Sequence, residues 1–180
     1  MDKVPISVII PAKNEKTNIV PVINALKDWA DEIYVVDSQS TDGMPDVVAE
    51  LAKGAVAKIE CVQFYFNGSY PKKKNWALDN LPIRNEWVLI VDADEVIPPA
   101  LAEEIAEKVA HPDADGYYLH FLYMFLGRPI RHCGYASLRV LRLSATSSAV
   151  TRRCPRTARR TWATARRTST SSWTARWAAA

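Results

Sequence analysis

Three short stretches combine residue types that can do chemistry. Asp92-Ala93-Asp94-Glu95 closes the apolar run Trp87-Val88-Leu89-Ile90-Val91. At the period of a strand, Asp92 and Asp94 share a side. Two carboxylates converging at a sheet edge repel unless a cation lies between them. A hard divalent ion, Mg2+ or Mn2+, answers that need, because it binds through one or two carboxylates plus substrate phosphates. The same residues also suit a plain turn at a strand end. Asp37 ends a second apolar run, Ile33 to Val36, and leads into Ser-Gln-Ser-Thr-Asp-Gly. Its carboxylate can accept hydrogen bonds from a uracil ring or a ribose hydroxyl, while the residues after it equally favour a capping loop. Pro11-Ala12-Lys13-Asn14-Glu15 closes a third run, Ile6 to Ile10, where Asn14 or Thr17 suits a helix cap.

The elements that must position these residues alternate in type. Ile19, Val22, Ile23 and Leu26 lie at i, i+3, i+4, i+7 between the first two apolar runs, which makes a strand, helix, strand unit. Asp42-Gly43 marks a turn, Pro45 suits a first helical turn, and Met44, Val47, Val48 and Leu51 give that helix an apolar face. Val56 to Phe64 reads as a strand, Asn75 to Leu81 as a short helix, and 87–91 as a strand covered on both faces. Leu101, Ile105 and Val109 form a helix behind Pro98-Pro99, followed by strands over Gly116 to Leu126 and Arg139 to Leu143. This order predicts an α/β fold, a Rossmann-like, mostly parallel sheet with helices on both faces. Such sheets bind ligands beyond the carboxyl ends of their strands, where all three stretches lie.

Taken together, in order and spacing, Pro-Ala-Lys-Asn-Glu, Val-Asp-Ser-Gln-Ser-Thr-Asp-Gly and Asp-Ala-Asp-Glu resemble the family 2 glycosyltransferases of GT-A fold. Lys72-Lys73-Lys74-Asn75-Trp76-Ala77-Leu78 is similar to the basic segment before that family's central helix. With Phe125-Leu126-Gly127-Arg128-Pro129-Ile130, it brings the chain nearest to lipopolysaccharide-core β-1,4-glucosyltransferases. The resemblance covers Met1 to about Leu143. It implies that Asp37 contacts the nucleoside, Asp92 the sugar nucleotide, and Asp94, with Asp92, the metal on the diphosphate. Pro11, Asn14 and Glu15 would line the nucleotide pocket and Lys74 would offset diphosphate charge, with Lys72 and Lys73 left as a solvated run. The implied reaction moves glucose from UDP-glucose, with inversion, to a glycan or lipid-linked saccharide. Glu95 is expected to support the metal motif, and no catalytic base is assigned before Leu143. A sugar nucleotidyltransferase, the alternative enzyme, calls for a glycine-rich loop after the first strand, and Pro11 to Glu15 has no glycine.

Composition narrows the setting. The 180 residues are 48% hydrophobic and 24% charged, as in one globular domain. No apolar run approaches the roughly 20 residues that span a bilayer, and the start lacks a signal peptide's pattern. Three separated cysteines suggest neither a disulfide framework nor a zinc site. These features place the chain in the cytoplasm, with at most peripheral contact at the inner face of the membrane. The net charge of +3 hides two sequences: Ser144–Ala180 has eight Arg and no Asp, Glu or Lys, leaving Met1–Leu143 with 15 basic and 20 acidic residues.

A basic tail of this kind would suit a nucleic-acid-binding arm. It is also what GC-rich DNA gives in a shifted frame. Codons for His-Glu-His-Val-Val-Leu-Asp-Gly-Pro-Val-Gly, read one base late, yield Thr168 to Ala178. On that reading 1–143 is a nucleotide-sugar-binding domain with an incomplete acceptor half, 144–180 is a non-native, disordered tail, and no nucleic-acid partner is implied. The catalytic base is then lost with the native C-terminal region. Resequencing the gene around the Leu143 codon is expected to reveal a one-base slip; an intact frame encoding the printed tail would overturn the reading.

Overall fold

The computed structural model describes residues 2–126, 128–130, 139–146 and, as backbone, 176–179. The strands are β1 (Val4–Ala12), β2 (Ala30–Asp37), β3 (Lys58–Gln63), β4 (Trp87–Ile90), β5 (Glu95–Val96), β6 (Gly116–Phe125), β7 (Arg128–Ile130), β8 (Arg139–Ala145) and β9 (Arg176–Ala179). The helices are α1 (Lys16–Asn24), α2 (Met44–Ala52), α3 (Lys73–Asn80) and α4 (Pro99–Ala110). The sheet order is β3-β2-β1-β4-β8-β6-β9-β5, with β7 on β6. From β3 to β4 every pairing is parallel, as expected of strands joined through helices. Beyond β4 the direction changes: β8 pairs antiparallel with both β4 and β6.

Strand periodicity divides the core in two. On one face Ile6, Val8, Ile10 and Ala12 of β1 and Ile33 and Val35 of β2 pack with Ile19, Val22 and Ile23 of α1, Met44 and Val48 of α2, and Leu101 and Ile105 of α4. On the other, Ile9, Tyr34, Val36 and Val88 pack with Ala77 and Leu78 of α3. Helices therefore cover both faces, which is why the first, second and fourth strands read as unbroken apolar runs.

β1 runs through Pro11 rather than stopping before it. Val91 N donates to Ile9 O on the β4 side, and Ser38 N donates to Ala12 O on the β2 side. Pro11 thus directs its missing donor toward β4, which ends at Ile90. β8 continues past Leu143 through Ser144 and Ala145, both buried, and Thr146 N donates to Glu86 O. Residues 147–175 of the tail lie outside the described residues.

The opposite, N-terminal edge of the sheet holds a buried charge. Glu32, fully buried on the α3 face, accepts at Oε1 from Ser7 Oγ (2.6 Å) and Arg84 N (2.9 Å). At Oε2 it accepts from Arg84 Nε (2.9 Å) and Tyr34 Oη (3.2 Å). Burial pushes the carboxyl up, but these hydrogen bonds outweigh it and hold the group below its ordinary value of 4.5. The stabilisation is therefore complete above that value and is lost as pH falls through the lower folded one. Glu32→Gln is expected to cost about 2 kcal/mol at neutral pH and to flatten the loss of stability below pH 4.5, measured by urea unfolding across pH. Unchanged curves would contradict the assignment.

Candidate functional site

The C-terminal ends of β1, β2 and β4 converge on three loops. Asn14 takes a left-handed conformation (φ 55°), which Asn tolerates better than most residues. Its N–H donates to Ser40 Oγ (2.7 Å) and its Oδ1 accepts from Thr41 N (2.8 Å), so it ties the loop after β1 to the loop after β2. Neither Asn14 nor Thr17 caps α1; Glu15 holds the cap position without a side-chain cap bond and accepts from Asn18 Nδ2 (2.8 Å). Asp42, a turn signal in the sequence, accepts from Lys16 N (2.8 Å) and Met44 N (3.0 Å), joining the first turns of α1 and α2. Its spacing before Gly43 and Pro45 was a capping signal. Pro11 lies half-buried in register with Val36.

Asp37 is fully buried. Its Oδ1 accepts from Ser40 Oγ (2.5 Å) and its Oδ2 from Gln63 Nε2 (2.8 Å), and Ser40 N lies within 3.2 Å of both oxygens. The carboxylate is committed to holding the 37–43 loop, so a nucleoside hydroxyl would have to displace Ser40 or Gln63 to reach it.

α3 begins at Lys73, two residues before the expected Asn75, and this places two lysines in its first turn. Lys73 is not left in solvent: its Nζ donates to Ala12 O (2.6 Å). Burial pushes this amine below its ordinary value against the opposing pull of Asp37 and Asp92, with Lys13 and Lys74 as cationic neighbours. Lys74 Nζ pairs with Asp92 Oδ1 at 2.6 Å.

The strand alternation expected to align Asp92 with Asp94 does not persist through these residues. β4 ends at Ile90, residues 93–94 form a turn, and Glu95 N donates to Asp92 O (3.0 Å). Asp92 is half-buried and Asp94 exposed. Asp92 Oδ2 accepts from Arg142 Nη2 (2.7 Å), and the same nitrogen bonds Glu95 Oε1. Glu95 Oε2 accepts from Asp92 N (2.9 Å), so Glu95 supports the motif as expected. Burial pushes Asp92 up, but Arg142 and Lys74 reverse this and hold it below its ordinary value. For Glu95 burial prevails over Arg142, and its carboxyl is raised. Arg142 carries no signal in the sequence, because it shares a short, largely apolar strand with Arg139 and has no motif around it.

Among the described residues no group of three or more His, Cys, Asp or Glu side chains gathers to hold a metal. A divalent ion that keeps waters and phosphates needs fewer. The exposed carboxylate of Asp94 fits such an ion, whereas both oxygens of Asp92 already face cations.

Residues 7–168 match the model of a family described as glycosyl transferase family 2. The chain belongs to that family. An uncharacterized glycosyltransferase of Rickettsia conorii is 38% identical over 112 residues, 62% of this chain and 36% of that protein. The lipopolysaccharide core biosynthesis glycosyltransferase LpsC of Rhizobium meliloti is 32% identical over 113 residues, 62% of this chain and 39% of that one. This family 2 chain therefore spans well under half the length of these relatives. Among solved structures, S. aureus TarS in complex with UDP-GlcNAc is 25% identical with a TM-score of 0.56, covering 72% of this chain and 37% of that one. The mannosyltransferase PcManGT of Pyrobaculum calidifontis, in complex with GDP-Man and Mn2+, is 26% identical with a TM-score of 0.51, covering 68% and 36%. No helix among the described residues is long and apolar enough to cross a membrane.

The loop tie makes a direct prediction. Asn14→Ala removes the Thr41 bond and places a Cβ residue without Asn's local hydrogen bonding at φ 55°, and it is expected to cost about 1–2 kcal/mol. Asn14→Gly, which relieves the backbone, should cost less in the same urea titration; equal costs would overturn the backbone part of the argument.

Proposed function

We propose that this chain is the nucleotide-sugar-binding half of an inverting glycosyltransferase. The donor is UDP-glucose, and the acceptor is a surface glycan or lipid-linked saccharide reached at the cytoplasmic face of the membrane. The observation that carries the reading is the alternation of charge where the parallel strands end: Lys74, Asp92, Arg142 and Glu95 in contact, with Lys73 beside them. A nucleoside diphosphate needs cations for its phosphates, and a sugar or ribose needs carboxylates for its hydroxyls. UDP-GlcNAc in TarS and GDP-Man in PcManGT support a nucleotide-activated donor, and the name of LpsC supports the acceptor class.

In transfer, the acceptor oxygen forms a bond to the anomeric carbon as the bond from that carbon to the diphosphate breaks. The nucleoside diphosphate leaves with the electron pair, and the acceptor proton passes to a base. Lys74 and Lys73 offset charge gathering on the leaving diphosphate, Asp92 orients the sugar nucleotide, and the Asn14–Ser40–Thr41 tie keeps the two nucleotide-side loops together. Mg2+ or Mn2+, when bound, would be held through Asp94 and would stabilise the leaving diphosphate. Asp37, Pro11 and Glu15 border the nucleotide. The acceptor base belongs to the part of the family's sequence beyond Leu143, so this chain keeps donor binding and transfers sugar poorly.

Isothermal titration is expected to show UDP binding that strengthens with Mn2+, and Asp94→Ala should abolish the Mn2+ enhancement while leaving the metal-free component. Absence of UDP binding, or an enhancement indifferent to Asp94→Ala, would overturn the proposal.

A further inference from the structure

Asp92 is held by two cations of different kinds. Lys74 stands 41% exposed against an Asp92 that is itself 33% exposed, whereas Arg142 is only 6% exposed. An exposed ion pair contributes little and exchanges readily, while one with a buried partner resists separation because a charge would be left uncompensated. Arg142 is also fixed by more than Asp92. Its Nη2 bonds Glu95, and its guanidinium carbon lies 5.3 Å from the centre of the Phe121 ring. Its buried Nε has no hydrogen-bond partner among the described residues, an arrangement that favours position over complete satisfaction.

We propose that Arg142 is a positioning residue for donor binding: by compensating Asp92 and Glu95 from the buried side, it lets Lys74 leave Asp92 for an incoming diphosphate. This rests on the nucleotide-sugar reading above. Without Arg142, Lys74 would be the one cation ion-paired with Asp92 among the described residues, and each diphosphate bound would have to take that partner away. With Arg142 in place the exchange is close to even, since Lys74 trades one anion for another and Asp92 keeps a bonded, charged neighbour. A lysine at this position carries the charge on a single ammonium that lacks the planar fork, so it holds Asp92 and Glu95 together less well.

Two measurements test this on the 180-residue chain with UDP as the probe, in EDTA so that no metal intervenes. In the wild-type protein with 13C-methylated lysines, the Lys74 signal, assigned by its loss in Lys74→Met, is expected to move on UDP saturation. A Lys74 signal unmoved at saturation overturns the inference without any substitution at Arg142. In titration calorimetry, Arg142→Lys should weaken UDP binding about tenfold. In the Lys74→Met background the same change should weaken it less than about twofold, because the residue it acts through is gone. Equal losses in both backgrounds would show a merely structural role and overturn the inference. A wild-type chain that binds no UDP overturns the donor reading and this inference with it; UDP binding with equal losses overturns the inference alone.

Discussion

Strands β1, β2 and β4 are covered on both faces by helices, and this governs where the protein can place a polar group. Within the strands a side chain points into one of two apolar layers, so polar groups there must be fully bonded or absent. Ser7 and Glu32 meet that condition through Arg84 and Tyr34 at one edge. At the other edge the strands run out one after another, β4 at Ile90, β1 at Ala12 and β2 at Asp37. The staggered ends make a step in which carboxylates and lysines can be half-buried, close together and still reachable. Both polar clusters follow from the same coverage, one serving closure of the α3–β4 connection and the other left open to a ligand.

The parallel half was legible in the sequence because coverage on both faces removes alternation and leaves continuous apolar runs, and because Ile19, Val22, Ile23 and Leu26 mark an apolar helical face between two of them. The antiparallel reversal at β8 was not legible. Arg139 to Leu143 reads as a strand in either direction, and only its pairings with β4 and β6, both antiparallel, show which it takes. The start of α3 was misplaced because three consecutive lysines look like solvent-exposed loop. Lys73 is stabilised in the helix by a tertiary bond to Ala12 O that no local pattern encodes.

The site was legible in its parts but not in its wiring. Asp37, Asp92 and Glu95 stand where strand ends predicted, yet alternation could not foresee that a turn at 93–94 replaces continued strand after Asp92. Nor could it show that Asp37 is already spent on Ser40 and Gln63. Arg142 lies 50 residues from Asp92 in sequence and meets it only because β8 pairs with β4. Long-range partners of this kind are decided by sheet order, which periodicity does not carry.

That pairing also explains why the donor half depends on the far end of the chain. Leu89 stands opposite Leu143 and Val88 opposite Ser144, so β8 completes the edge of β4 that leads into Asp92. The parallel strands and most of the loops come from the segment before Val91, but the cation that keeps Asp92 and Glu95 together arrives with β8. A fragment ending before Arg139 would leave the half-buried Asp92 and the buried Glu95 without the guanidinium that bonds both. Continuity of the fold through Ala145 is therefore an electrostatic requirement of the site as well as a packing one, since Arg142 reaches Asp92 and Glu95 from β8.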